Sequence, residues 1–218
     1  MPSSEQILVG LTTVANQWWA LAVAWHVWVG AWLIAISIRR ELSNRLLSAA
    51  LMLPLLSVSV LAWTAMNPFN GAVFAALSLL LGSIAYRMPR GPVEIGSWPV
   101  VLAGGTLVAF GWTYPHFLET RHWAVYLIAA PLGLLPCPTL ATISGLTLIV
   151  GGLRSTAWQL TVALVCLVYA TIGIFRLGVL LDVGLFAGAA ALACLWAANA
   201  ERTAVAFARL APGSHQHD

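Results

Sequence analysis

Residues 130–145 read APLGLLPCPTLATISG, in the middle of an apolar stretch over 123–152. Pro131, Pro136 and Pro138 crowd around Cys137. A proline in a helix interior costs about 3 kcal/mol, and it removes a backbone donor and clashes with the preceding turn. In hydrocarbon, each backbone group left unpaired costs several kcal/mol more. The stretch therefore predicts a membrane helix opened between 135 and 140, with freed carbonyls turned to protein or to a water-lined cavity. Gly133 and Gly145 bound it and permit a neighbouring helix to approach closely. Broken helices near the bilayer midplane are a recurrent way to build solute and ion sites.

The rest of the chain fits that reading. Of 218 residues, 61% are hydrophobic and 8% charged, and the mean hydropathy is +0.90. Soluble domains carry about 25% charged residues, so the composition excludes a soluble fold and implies a polytopic membrane protein with the lipid bilayer as its solvent. The N-terminal MPSSEQ lacks the positive region of a signal peptide, so the first apolar segment is expected to persist as a span. A net charge of +3, carried on scattered arginines, gives no sign of nucleic-acid binding. The chain has no lysine, which excludes a retinal Schiff base. Its three cysteines lie in apolar segments and do not read as a disulfide framework.

Apolar runs place spans over about 18–38, 46–66, 69–86, 98–116, 123–152 and 157–175, and from between 178 and 185 to near 199. Arginines set the orientation. Arg39, Arg40, Arg45, Arg87, Arg90, Arg154, Arg202 and Arg209 fall on one side of this pattern, and only Arg121 and Arg176 on the other. The expectation is an all-α integral membrane protein of seven transmembrane helices, N-terminus outside and C-terminus inside, with the fifth helix broken by Pro-Cys-Pro. It is divided into a single transmembrane domain over 1–200 and a cytoplasmic extension and tail over 201–218, the tail disordered. The bacterial inner membrane is the expected location. The three-plus-one-plus-three arrangement is shared with SWEET-type sugar exporters and a vitamin-precursor transporter family, an analogy of topology alone.

At about 1.5 Å per residue, Cys137 falls near mid-membrane, and most polar and helix-breaking residues fall in the outer half. These are Asn67 and Pro68, Tyr114, Pro115 and His116, Glu119 and His122, and Asp182. Cys137 reads either as a small apolar filler or as a thiol site, with Cys166 at similar depth as its only partner. Asp182 reads either as the N-cap of the last span or as an intramembrane carboxylate. His26 lies four residues after Ala22, a spacing like that of tetrapyrrole ligation in light-harvesting polypeptides, or it is a histidine hydrogen-bonded within the bundle. Gly184 and Gly188 form a GxxxG packing face.

Asn67-Pro68, Tyr114-Pro115, Pro136-Cys137-Pro138-Thr139 and Asp182, in that order, resemble an uncharacterised family of bacterial multi-pass membrane proteins, from about residue 60 onward. The resemblance implies a class and no activity. The residues themselves point to a small-solute or ion transporter or channel. Cys137 and Thr139, with carbonyls exposed by Pro136 and Pro138, would line the site, and Tyr114, His116, Asn67 and Asp182 would form its outer opening. Two alternatives stand beside it. One is a cofactor-binding or redox subunit of a larger membrane complex, with His26 or His116 as axial ligand. The other is an enzyme on a lipid-borne substrate using His116 and Glu119, which no conventional nucleophile constellation supports. A homo-oligomer is compatible with each, and a visible absorption band would separate the cofactor reading from the transporter.

Overall fold

The computed structural model describes residues 3–38, 42–120 and 122–210, with backbone alone from 202 onward. Arg39, Arg40, Arg121 and the tail over 211–218 lie outside the described residues, as do the side chains of Arg202 and Arg209. The described residues are helical, and the one β contact among them is an isolated bridge between Ser43 and Pro92. Five helical segments are long and apolar enough to cross a membrane: Trp19–Ile38, Asn44–Thr64, Pro68–Arg87, Thr156–Arg176 and Leu180–Glu201. Two shorter apolar helices, Trp98–Thr113 and Pro136–Ile149, accompany them.

The chain opens with a helix that the span pattern did not separate, α1 (Ser4–Gln17). Its start is a capping box: the Ser3 hydroxyl accepts from the Gln6 N–H at 3.2 Å, and Gln6 Oε1 accepts from the Ser3 N–H at 2.9 Å. Helix α1 buries Val14 and Ala15. It is followed by α2 (Trp19–Ile38), α3 (Asn44–Thr64), α4 (Pro68–Arg87) and α5 (Trp98–Thr113). The fifth apolar segment comes in two pieces, the short α6 (Tyr126–Ala129) and α7 (Pro136–Ile149). Last come α8 (Thr156–Thr171), which widens into one π turn over Ile172–Arg176, and α9 (Val183–Leu210).

Helix α7 is the axis of the bundle. Twelve of its fourteen residues are buried, enclosed by α3, α5, α8 and α9. Its closest partner is α5, and glycines make that approach possible. A Cβ added at Gly145 would stand 2.5 Å from the Gly104 carbonyl oxygen, and one at Gly111 would stand 2.5 Å from that of Pro138. Helices α3 and α4 form one antiparallel pair, α8 and α9 another. Gly184 and Gly188, read as a packing face, lie inside the bundle. A Cβ at Gly184 would meet the Phe110 ring at 2.6 Å, and one at Gly188 would meet Ser144 Oγ at 3.0 Å.

The interruption of the fifth segment is real but sits elsewhere than expected. It spans 130–135, not 135–140, and Pro136 and Pro138 begin a helix instead of breaking one. Leu135 is the extended residue before Pro136 (φ −116, ψ 151), as sterics before a proline favour. In the first turn of α7 the missing proline donors cost nothing, because those N–H groups have no intrahelical partner. The N–H groups of the break, residues 132–135, are all paired locally. Leu135 N–H donates to Pro131 O at 3.0 Å. Gly133 N–H donates to Thr139 Oγ1 at 2.8 Å, and that hydroxyl donates on to Leu135 O at 2.7 Å. Gly133 has φ +72, and the Trp25 ring occupies the place a Cβ would take, so a side chain is excluded there twice over.

Candidate functional site

Three helices start around one cavity. Helix α4 begins at Asn67-Pro68, with Asn67 Oδ1 accepting from the Asn70 N–H at 3.1 Å. Helix α7 begins at Pro136, and α9 follows directly on Asp182. Between them lies a cavity of about 220 Å³. Pro68, Phe69 and Arg176 make an exposed rim, while Asn70, Tyr169 and Asp182 are buried in its wall. Cys137, Pro136 and Pro138 line it from α7, and Ile7 and Leu11 from α1.

Asp182 is the chemical centre of this wall, 1% exposed. The Tyr114 hydroxyl donates to its Oδ1 at 2.7 Å, and the Cys137 thiol donates to its Oδ2 at 3.2 Å. Among the described residues no α9 N–H donates to this carboxylate; it ties Tyr114, just after α5, to Cys137 in the first turn of α7. Its position depends on Gly173 in the wide turn after α8, where a Cβ would stand 1.8 Å from Oδ2. Turns of this kind recur at functional sites. On the opposite wall, the Tyr169 hydroxyl donates to Asn70 Oδ1 at 2.9 Å.

The residues singled out by sequence divide into three groups. Cys137, Pro136, Pro138, Asn67 and Asp182 line the cavity. Tyr114 is fully buried behind it and acts on it through Asp182, and His116 follows two residues later, half-buried with its ring against Phe117 of the lining. Thr139 does not belong to the cavity; its hydroxyl is consumed in closing the break at Gly133 and Leu135. His26 is elsewhere, buried on α2, with Nδ1 at 2.8 Å from Ala22 O and Nε2 at 2.9 Å from Trp112 O. Both ring nitrogens face carbonyls, so this arrangement offers no free nitrogen for axial ligation. Ala22, the small residue that suggested room for a macrocycle, supplies one of those carbonyls. Glu119 is exposed, and its N–H donates to Asn16 Oδ1 at 2.9 Å. The three cysteines are free, and Cys166 is buried outside the cavity wall. Among the described residues, no three His, Cys, Asp or Glu side chains gather as a metal site.

Asn70, Tyr169, Gly173 and Arg176 were missed. Tyr169, Gly173 and Arg176 share one helical face at spacings of four and three, and a lone tyrosine, a glycine and an arginine on one face of an apolar span is a readable signal. Compared with protein families, curated proteins and solved structures, the chain shows no match.

Proposed function

We propose that the chain is a seven-span inner-membrane protein, N-terminus outside and C-terminus inside, that admits a small solute from the outer side to a site at the interrupted fifth segment, as a transporter or channel. One observation carries this reading: the Asn-Pro, Pro-Cys-Pro and Asp182 motifs, far apart in sequence, meet on a single cavity. With the orientation set by arginines, α4 and α9 begin on the outer side, so the cavity's exposed rim faces outward. Fourteen residues of α7 rise about 21 Å, short of a hydrocarbon core of about 30 Å. Helix α6 and the break make up the rest, and the break is enclosed by protein, where non-helical backbone is tolerated at membrane depth. A largely apolar pocket with a few convergent polar groups is the usual form of a small-molecule site.

Reporter fusions after residue 68 and at the C-terminus test the topology and should report opposite sides. In a Cys166→Ala, Cys194→Ala background, a small impermeant methanethiosulfonate added outside intact cells should label Cys137, and Cys137→Ser should abolish the signal. Same-side reporters would sink the orientation. A Cys137 protected under every condition would reduce the interruption to a structural kink.

A further inference from the structure

We propose that this cavity selects small apolar molecules carrying a single cationic nitrogen, with the Asp182 carboxylate as counter-charge. The inference rests on the transport reading and names its solute class. Asp182 is buried, and both of its donors are neutral groups, a hydroxyl and a thiol. Among the described residues, no arginine or histidine nitrogen lies within 4.0 Å of it; the one ion pair there is the exposed Arg154–Glu94. The basic groups nearest in the fold are His116, two residues after the Tyr114 that donates to Asp182, and Arg176 at the exposed rim. A buried carboxylate is costly until a cation pairs with it, and each oxygen has a lone-pair direction left after its one protein donor.

Two of the three helix starts are poor at holding an anion. Helix starts ordinarily grip anions through free N–H groups, but Pro68, Pro136 and Pro138 have none. The Asn70 N–H in the first turn of α4 is already taken by Asn67 Oδ1. Phe69, Phe117 and Tyr169 supply aromatic rings to the lining, and the faces of such rings attract cations. Size limits the choice further. An apolar cavity of about 150 Å³ holds benzene, so about 220 Å³ admits one ring with a short arm.

The test uses the full chain in nanodiscs, in the Cys166→Ala, Cys194→Ala background, so that Cys137 reports from beside Asp182. Its labelling rate is measured with cationic aminoethyl, neutral ethyl and anionic sulfonatoethyl methanethiosulfonates, each normalised to its rate with a free thiol in solution. The cationic reagent should outpace the anionic one by about tenfold or more, a modest fraction of what charges in contact exert. Asp182→Asn should bring the two within about threefold. Phenethylamine should slow labelling by the neutral reagent, while 2-phenylethanol and 3-phenylpropanoate should not. This last comparison needs no change at Asp182 and decides the matter if Asp182→Asn fails to fold. Equal rates for the two charged reagents, a charge preference that persists in Asp182→Asn, or equal protection by the alcohol would overturn the proposal and leave the transport reading standing. A Cys137 that no reagent reaches would overturn both.

Discussion

Gly173→Ala is the substitution whose sign is most informative. In an ordinary helix, glycine to alanine stabilises by about 0.5–1 kcal/mol, because the backbone loses less freedom on folding. At Gly173 the new Cβ would stand 1.8 Å from Asp182 Oδ2, 2.7 Å from its Cγ and 2.9 Å from its Cβ. Carbon–oxygen contacts below 3.0 Å are essentially never seen at a Cβ, so the carboxylate must retreat by more than 1 Å. The neighbours leave it no such freedom, since Oδ1 is held at 2.7 Å by Tyr114 and Oδ2 at 3.2 Å by Cys137. A retreat forfeits at least one buried hydrogen bond to a carboxylate, at about 1.5–3 kcal/mol. That outweighs the helix gain, so the net effect is a loss of about 1–2 kcal/mol. Gly105→Ala is the control: it lies in α5 with nothing within 4 Å of an added Cβ. Thermal unfolding in one detergent should show Gly105→Ala at or above the parent and Gly173→Ala below it. A double-mutant cycle isolates the cause: in an Asp182→Ala background, Gly173→Ala should lose its penalty. If Gly173→Ala melts at or above the parent, or its penalty survives the loss of Asp182, the contact does not position the carboxylate and the reasoning fails.

Two further outcomes follow from the packing. Thr139→Val should destabilise by about 1–3 kcal/mol, the cost of leaving the buried Gly133 N–H unpaired, while Thr139→Ser should melt near the parent; equal melting of the valine and serine variants would remove the hydroxyl from the account of the break. Replacing Gly184 and Gly188 together with leucine should lower the melting temperature without changing the oligomeric state on detergent sizing, because Gly184 faces Phe110 and Gly188 faces Leu107 and Ser144 of the same chain; a changed particle size at unchanged stability would place that face between copies.

The helices were legible wherever one rule dominated. Long apolar runs located α2, α3, α4 and α8, and the start of α9, to within a few residues, because burial in lipid leaves little else to decide. Helix α1 was overlooked although its signal is written in the chain. Ser3 and Gln6 stand three apart as a capping box requires, and Ile7, Leu11, Val14 and Ala15 repeat at helical spacing. The search for spans passed over it because it is too short and too polar on one side to be one. The proline cluster misled in a different way. Counting the cost of a proline inside a helix presumes that the helix is already running, and sequence alone does not say where it starts. Leu135 in an extended conformation followed by Pro136 at the first helical position is the arrangement that costs least, and the chain takes it.

The site was half legible for a related reason. Asn67, Cys137 and Asp182 stood out as polar residues in apolar surroundings, and depth alone brought Asn67 and Asp182 to the outer side, with Cys137 near mid-membrane. Their mutual contacts depend on pairings no local pattern carries, such as Tyr114 with Asp182, 68 residues apart, and Tyr169 with Asn70, 99 apart. Gly173 was least visible of all, because its role is an absence: it leaves the volume that an acid nine residues later fills. Thr139 errs in the opposite direction, since it lies within the most conspicuous motif and yet spends its hydroxyl on the backbone. In a chain this apolar, a polar side chain is either closing a backbone defect or facing a cavity. The deciding question is whether an unpaired backbone group lies within its reach. Thr139 has one at Gly133, whereas the Asp182 oxygens are met by side chains alone, Tyr114 and Cys137, beside open volume. That difference is why the solute class is read from Asp182 and not from the proline motif that first drew attention to the region.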